Sequence, residues 1–145
     1  MRIYLDNCSF NRPFDEQNQI RIKIETDAKL YIQELIKNKR IELVWSYILE
    51  YENSCNPFEE RKDQILKWKK YSSYKILENE NIIKNAENIF KLNIKSKDSL
   101  HIACAIESKC DYFITTDDFL LKKSDEITLV KIVSPPLFVE KEENV

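Results

Sequence analysis

The stretch "MRIYLDNCSFNRP", residues 1–13, decides how the fold of this chain is interpreted. It contains a short apolar run, Ile3 to Leu5, that is typical of a buried strand and that ends at a carboxylate, Asp6, instead of at a turn residue. A single acid at the end of a strand can simply cap the segment that follows. The interpretation of Asp6 therefore depends on whether the chain brings other acids to the same place.

Length and composition predict one compact domain. The chain has 145 residues, of which 43% are hydrophobic and 33% charged, which is enough for a substantial core. We expect this domain to span residues 1–138, and the acidic segment 139–145 to be a flexible tail. The net charge of −2 excludes a global positive field, so a nucleic acid would have to be held by local basic patches.

The sequence also excludes several classes of protein. It has no secretion signal pattern and no apolar run of roughly 18 residues, so we expect a cytoplasmic protein without a membrane span. The complete lack of glycine excludes the Gly-rich phosphate loops of nucleotide-binding folds. The four cysteines show no zinc-site spacing, and we expect them to be reduced and structural.

Apolar runs alternate with helical patterns along the chain. Helical spacing extends from about residue 17 to 38 and returns in later segments. Strands are predicted at "IYL" (3–5), "IELVW" (41–45), "YKIL" (74–77), "YFIT" (112–115) and "LVKIV" (129–133). Because parallel neighbours need crossover helices, this alternation predicts a three-layer α/β/α fold with a mainly parallel central sheet.

Four acids are expected at the carboxyl edge of this sheet, where the ligand cleft of such folds lies. Asp6 and Asp117 each follow a predicted strand. Glu50 lies one turn into the helix that follows the strand at 41–45, which Ser46 is placed to cap.

The fourth acid, Asp98, lies in the first turn of a helix that Ser96 is placed to cap, where the helix dipole favours a carboxylate. Carboxylates that converge repel one another, and their burial costs free energy unless a cation compensates it. Mg²⁺, the hard cation that prefers such oxygen ligands, could orient a water for attack on a phosphodiester. The sequence therefore predicts a site for Mg²⁺ or Mn²⁺.

Four segments together resemble the PIN domain, a small ribonuclease fold found in many bacterial toxins. They are "YLDNCSFNRP" (4–13), "SYILEYE" (46–52), "KDSLHIACA" (97–105) and "DYFITTDDFLLKK" (111–123), and they cover nearly the whole chain in the right order. In that family an acid after the first strand, a Glu in an early helix, an Asp before "LHIA" and the Asp of "TTD" form the metal site.

By resemblance, the metal-binding and catalytic positions are Asp6, Glu50, Asp98 and Asp117. The resemblance implies a Mg²⁺- or Mn²⁺-dependent endoribonuclease that acts on RNA. It also implies the toxin of a toxin–antitoxin pair, with an antitoxin protein as partner and a homodimer as a candidate assembly.

Residues beside the acids are candidates for supporting hydrogen bonds. Many family members have Thr-Asn after the first acid, whereas here Asn7 follows directly, so Asn7 or Ser9 is the candidate for this role. Thr115 is a further candidate. The acidic doublet offers Asp118 as an alternative, and Asp117 is favoured because two threonines precede it as in the family.

Basic residues flank the acids and are candidates for RNA contact, since they can offset the repulsion between carboxylates and phosphate. They are Arg12, Lys97 and Lys122, with Lys95 and Lys123 beside them. The tryptophans and tyrosines are expected to serve packing rather than base stacking.

Alternatives remain for one residue and for the function. His101, the single histidine, lies one turn beyond Asp98 and could act in acid–base catalysis, but its apolar helix favours a packed, structural role. A catalytically silent PIN-like module could use the acidic cleft for a basic partner segment. An aspartyl-phosphate protein is disfavoured, because Asp6 stands alone and Cys8 occupies the position two residues later.

Overall fold

The computed structural model describes residues 1–143 and contains a five-stranded parallel sheet between two layers of helices. Its strands are β1 (Arg2–Leu5), β2 (Glu42–Ser46), β3 (Tyr74–Ile76), β4 (Tyr112–Ile114) and β5 (Lys131–Val133). They lie in the order β3-β2-β1-β4-β5, and each neighbouring pair is parallel. The predicted three-layer α/β/α fold is confirmed.

Helices connect the strands and cover both faces of the sheet. In the described part of the chain the α-helices are α1 (Asn7–Asn11), α2 (Ile20–Lys37), α3 (Tyr47–Ser54), α4 (Glu59–Leu66), α5 (Glu80–Phe90), α6 (Ser96–Glu107), α7 (Asp118–Lys122) and α8 (Pro135–Glu142). Short 3₁₀ turns lie at Arg12–Phe14, Lys67–Tyr71 and Ser124–Glu126. Helix α2 packs against α8, and α5 packs against α6.

The central strand β1 is apolar because both of its faces are buried. In β1, Ile3 and Leu5 point into the core on one face of the sheet, and Tyr4 points into the core on the other. A strand that is covered on both faces needs a continuous apolar run, not an alternating one. This is the pattern that the N-terminal segment shows.

The order of the strands creates the cleft. From β1 the chain first builds outward through β2 to β3, and then returns to add β4 and β5 on the opposite side. The direction therefore reverses beside β1, and such a switch point leaves a crevice at the carboxyl ends of the strands. The residues that follow β1 and β4 lie at this crevice.

Two helix ends lie near predicted boundaries. Helix α8 extends through Glu142, past residue 138 where we expect the domain to end, with Phe138 fully buried and Val139 beside it, and the domain boundary stays a prediction. The last two residues, 144 and 145, lie outside the described residues. Ser96 is the first residue of α6 instead of its cap, and Lys95 precedes it.

In residues 1–143, no helix has the length and apolar character needed to cross a membrane.

Candidate active site

Asp6 is held rigidly at the carboxyl end of β1. It is only 5% exposed, and it caps α1 because its Oδ1 accepts a hydrogen bond from the backbone N of Asn7 at 2.8 Å. Its other oxygen, Oδ2, accepts from the hydroxyl of Thr115 at 2.8 Å and from the thiol of Cys8 at 3.4 Å. The carboxylate is thus oriented by α1 and by the residue that follows β4, through donors without formal positive charge.

Asp117 lies on the neighbouring strand connection, three residues beyond β4. Its Oδ1 caps α7 by accepting from the backbone N of Phe119 at 2.8 Å and of Leu120 at 3.3 Å. The backbone N of Asp117 donates to the hydroxyl of Thr115 at 3.1 Å. The hydroxyl of Thr115 therefore contacts both the carboxylate of Asp6 and the backbone of Asp117.

Asp98 approaches the same place from α6. Partial burial raises the pKa of its carboxyl to about 6, and the negative charges of Asp6 and Asp117 act in the same direction. Glu52 adds to this effect, while His101 opposes it. The cause of the shift is therefore the convergence of carboxylates from separate elements at one crevice.

The two glutamates of α3 have different surroundings. Glu50 is exposed, and its Oε1 accepts from Lys69 Nζ at 2.6 Å and from the indole N–H of Trp45 at 3.3 Å. Glu52 instead lies beside Asp6, on the side of the helix that faces the crevice. Residues 50 and 52 are about 200° apart around a helix, so only one of them can face the other acids. The acid that α3 contributes to the cluster is Glu52, where the sequence had favoured Glu50.

A buried hydrogen-bonded chain supports Glu52. The ring of His101 is fully buried, with Nε2 2.9 Å from Glu52 Oε1 and Nδ1 2.5 Å from the hydroxyl of Tyr4. That hydroxyl lies 2.5 Å from Ser46 Oγ, which also accepts from the backbone N of Leu49 as the cap of α3. The chain thus links β1, β2, α3 and α6 beneath the acids.

The protonation state of the pair formed by His101 and Glu52 follows from their contacts. Burial lowers the pKa of His101, but the hydrogen bond to Glu52 and the nearby Asp6 outweigh it and raise the pKa above its ordinary value. Burial likewise raises the pKa of Glu52, and the contact with His101 outweighs that effect and lowers it. The two groups therefore favour the imidazolium–carboxylate form.

The site includes a set of donors that could hold a metal. Asp6, Glu52 and His101 each offer one atom, and the three atoms lie within 4.8 Å of one another. Both ring nitrogens of His101 already form hydrogen bonds, so the carboxylate oxygens are the atoms that remain available as metal ligands. Together with Asp98 and Asp117 they form what we call the acid cluster: Asp6, Glu52, Asp98 and Asp117.

Two of the residues predicted to support the acids contact other groups. Ser9 is fully buried and donates to the carbonyl of Ile114 at 3.1 Å, so it joins α1 to β4. Asn7 contacts Asp6 through its backbone, while its buried side-chain Oδ1 has no hydrogen-bond partner among the described residues. Asp118 is exposed and forms a bidentate salt bridge with Arg21, with N–O distances of 2.7 and 2.9 Å.

The predicted RNA-contact residues differ in how free they are. Arg12 is engaged by Glu25 at 2.9 Å and by Asp15 at 3.1 Å, so its guanidinium serves the fold. Lys122 is exposed on α7 and forms no ion pair within residues 1–143. Lys97 is also exposed, and its Nζ lies 5.8 Å from the centre of the Tyr51 ring.

Glu52 and the hydrogen-bonded chain beneath it were not predicted from the sequence, although one pattern in α3 indicated the position of Glu52. Ile48 and Leu49 are buried on α3, and residue 52 follows Ile48 by four positions, which places it on the same side of the helix. Tyr4 gave no such signal, because a tyrosine in an apolar strand looks like ordinary core.

Comparison with solved structures agrees with this geometry. One match is VapBC2 from Rickettsia felis, whose structure was solved bound to a promoter DNA fragment. Its TM-score is 0.57 and its sequence identity 15%, over 92% of this chain and 98% of that one. VapBC-1 from nontypeable Haemophilus influenzae matches with a TM-score of 0.61 and 20% identity, over 93% and 98%. The likeness shows a PIN-like fold.

The other two comparisons found nothing: no protein-family model matches the sequence, and neither does any curated protein.

Proposed function

We propose that this protein is a metal-dependent endoribonuclease that hydrolyses RNA phosphodiester bonds, and that it is the toxin of a toxin–antitoxin pair. The observation that carries the proposal is the convergence of four carboxylates from β1, α3, α6 and the β4–α7 connection on one crevice. The likeness in fold to the two VapBC structures supports the toxin assignment.

The acid cluster fits a hard divalent cation. In residues 1–143, neither lysine nor arginine pairs with Asp6, Asp98 or Asp117, and the cation at the cluster is His101, which is bound to Glu52 and offsets only part of the negative charge. Carboxylate oxygens are the ligands that Mg²⁺ and Mn²⁺ prefer. A bound ion would activate a water for attack on phosphorus and offset the charge that develops on the leaving oxygen.

The residues of the chain have separate tasks in this scheme. Asp6, Glu52, Asp98 and Asp117 would hold the ion. Thr115 fixes Asp6 and Asp117 through its hydroxyl, and His101 fixes Glu52 through Nε2. Because both oxygens of Asp6 are oriented by hydrogen bonds, the chain prepares the geometry before any ligand arrives.

The test compares neighbouring acids. Asp117→Asn removes a member of the acid cluster, whereas Asp118→Asn changes an exposed acid that pairs with Arg21. We expect cleavage of single-stranded RNA in Mg²⁺ or Mn²⁺ to fall steeply for Asp117→Asn and to stay close to the parent for Asp118→Asn. Chelator should abolish cleavage by the parent. Cleavage that persists in chelator contradicts the metal mechanism.

An antitoxin partner is proposed on the basis of charge. A crevice lined by carboxylates attracts basic side chains when no ion or substrate is bound, so a partner segment with Arg or Lys should be able to occupy it. A cognate antitoxin that inhibits cleavage without contacting residues near Asp6 or Asp98 contradicts this view. A homodimer stays a prediction, which sedimentation of the purified protein tests.

The silent-module alternative gives the opposite result in the same assay. A protein that binds a basic peptide through the acid cluster but cleaves no RNA with either ion would be a binding module. The presence of all four carboxylates favours the nuclease.

A further inference from the structure

A groove with an aromatic wall lies against helix α3, which also carries Glu52 of the acid cluster. It has a volume of about 390 Å³, within the roughly 300–1,000 Å³ of small-molecule sites. We call it the Tyr51 groove and define it by Tyr47, Glu50, Tyr51, Lys69, Lys75 and Leu77.

Helix α3 forms the boundary between the groove and the acids. Tyr51 lines the groove, and the next residue, Glu52, belongs to the acid cluster. Lys97 connects them from α6, because its Nζ lies 5.8 Å from the Tyr51 ring centre and the residue directly precedes Asp98. Tyr51 and Lys97 thus connect the groove to the two elements that carry Glu52 and Asp98.

The apolar surface of the groove is exposed without an explanation in the fold. Tyr51 is 56% exposed and Leu77 is 76% exposed, so neither contributes a full side chain to the core. The sequence analysis had expected the tyrosines to serve packing. An exposed tyrosine ring is a flat platform on which any nucleobase can stack.

The charges of the groove suit the backbone of a nucleic acid. Glu50 is neutralised by Lys69, whose Nζ lies 2.6 Å from its carboxylate. Lys75 is exposed and has no ion pair in the part of the chain that the structure describes. Lys97 adds positive charge at the Tyr51 ring, so the groove combines an aromatic platform with lysines that can contact phosphate.

We propose that the Tyr51 groove binds one nucleobase of the RNA strand next to the scissile phosphate, with Tyr51 as the stacking platform and Lys75 and Lys97 as phosphate contacts. The inference rests on the proposed ribonuclease function, and it adds the place where the substrate strand is held. It also assigns an RNA contact to Lys97 for a structural reason.

The experiment uses ring removal at one position. Tyr51→Ala should raise the KM for single-stranded RNA by about 5- to 150-fold, which corresponds to about 1–3 kcal/mol of stacking, with little change in kcat. Tyr51→Phe keeps the ring and should retain the parental KM. Tyr74→Ala is the matched control, because Tyr74 is 41% exposed but its ring lies against Arg2, near the amino ends of the strands.

A scan of the RNA with single abasic positions locates the base. One abasic position should weaken binding to the parent as much as Tyr51→Ala does, and the two changes should not add, because they remove the same contact. Full additivity at every position overturns the subsite.

Binding separates this inference from the proposed function. Affinity for the same RNA is measured by fluorescence anisotropy in the Asp98→Asn background, with and without Tyr51→Ala. If the parent protein cleaves RNA and Tyr51→Ala changes neither KM nor affinity, the subsite is contradicted and the nuclease function is retained. If the parent protein does not cleave RNA but its affinity still depends on Tyr51, the subsite is supported and the nuclease function is contradicted.

Discussion

The imidazole of His101 lies 2.9 Å from the carboxylate of Glu52 and is itself fully buried. Nε2 faces Glu52 and Nδ1 faces the hydroxyl of Tyr4, so in the imidazolium form both ring nitrogens donate, Nε2 to Glu52 and Nδ1 to Tyr4. The single histidine thus orients an acid from below the crevice and has no access to solvent. This arrangement favours a positioning role over acid–base catalysis.

Removal of His101 should therefore weaken activity without abolishing it. In His101→Gln, Glu52 loses a charged donor, and we expect RNA cleavage to fall by about 10- to 100-fold, as is usual for groups that orient metal ligands. Excess Mg²⁺ or Mn²⁺ should restore part of the rate, and the metal titration midpoint should shift upward. A loss as complete as that of Asp98→Asn, with an unchanged midpoint, would indicate acid–base catalysis by the ring.

Asp98→Asn should separate activity from stability. The substitution keeps the size of the side chain but removes one carboxylate charge, so cleavage should fall by ~100-fold or more, beyond the about 10- to 100-fold effect of supporting groups. Without metal, the variant should melt at the same or a slightly higher temperature than the parent, because repulsion among the acids is reduced. An active Asp98→Asn protein, or one that melts well below the parent, contradicts the acid cluster.

The two glutamates of α3 provide a comparison within one helix. Glu52→Gln should reduce kcat steeply and shift the metal titration midpoint upward, whereas Glu50→Gln should keep the parental kcat and midpoint, because Glu50 contacts Lys69 and Trp45 instead of the acids. Circular dichroism melts serve as the control for folding. The reverse ranking would mean that α3 is rotated relative to the structure described here.

A buried lysine that does not belong to the acid cluster makes stability depend on pH. Lys29 is 2% exposed, and its Nζ lies 5.2 Å from the Phe10 ring centre and 5.7 Å from that of Trp68. With its amide oxygen assigned toward these donors, Gln33 accepts from Lys29 and from the indole N–H of Trp68. Burial lowers the pKa of Lys29 to about 7.

The sign of the effect follows from proton binding. Above about pH 7 the unfolded chain holds a proton on Lys29 that the folded protein lacks, so stability due to this residue rises with pH by roughly 1 kcal/mol per unit until the unfolded lysine titrates. Chemical denaturation at about pH 7.5 and about pH 9 should show this rise for the parent relative to Lys29→Met. Lys37→Met, which changes an exposed lysine on the same helix, should leave the rise in place.

Much of the fold could be predicted because it depends on local patterns. The strands at β1, β2 and β4 were recognisable as apolar runs covered on both faces, and Ser46 as a cap was confirmed by its contact with the backbone of Leu49. The differences lie at the ends of elements, such as Ser96 in α6 and the strand predicted at 129–133, which begins at Lys131. The final helix reaches Glu142 because Phe138 finds a buried position that the acidic composition of the segment did not indicate.

The sequence by itself determined that acids follow β1 and β4 and open α6, since Asp6, Asp117 and Asp98 each stand at the end of an element whose direction is set by the parallel sheet. Only the tertiary structure decided which glutamate joins them. Each residue of a helix is turned by about 100° from the last, so the side that faces the crevice depends on how Ile48 and Leu49 pack into the core. That packing turns Glu52 toward the acids, and the same rotation leaves Tyr51 exposed at the groove that lies against α3.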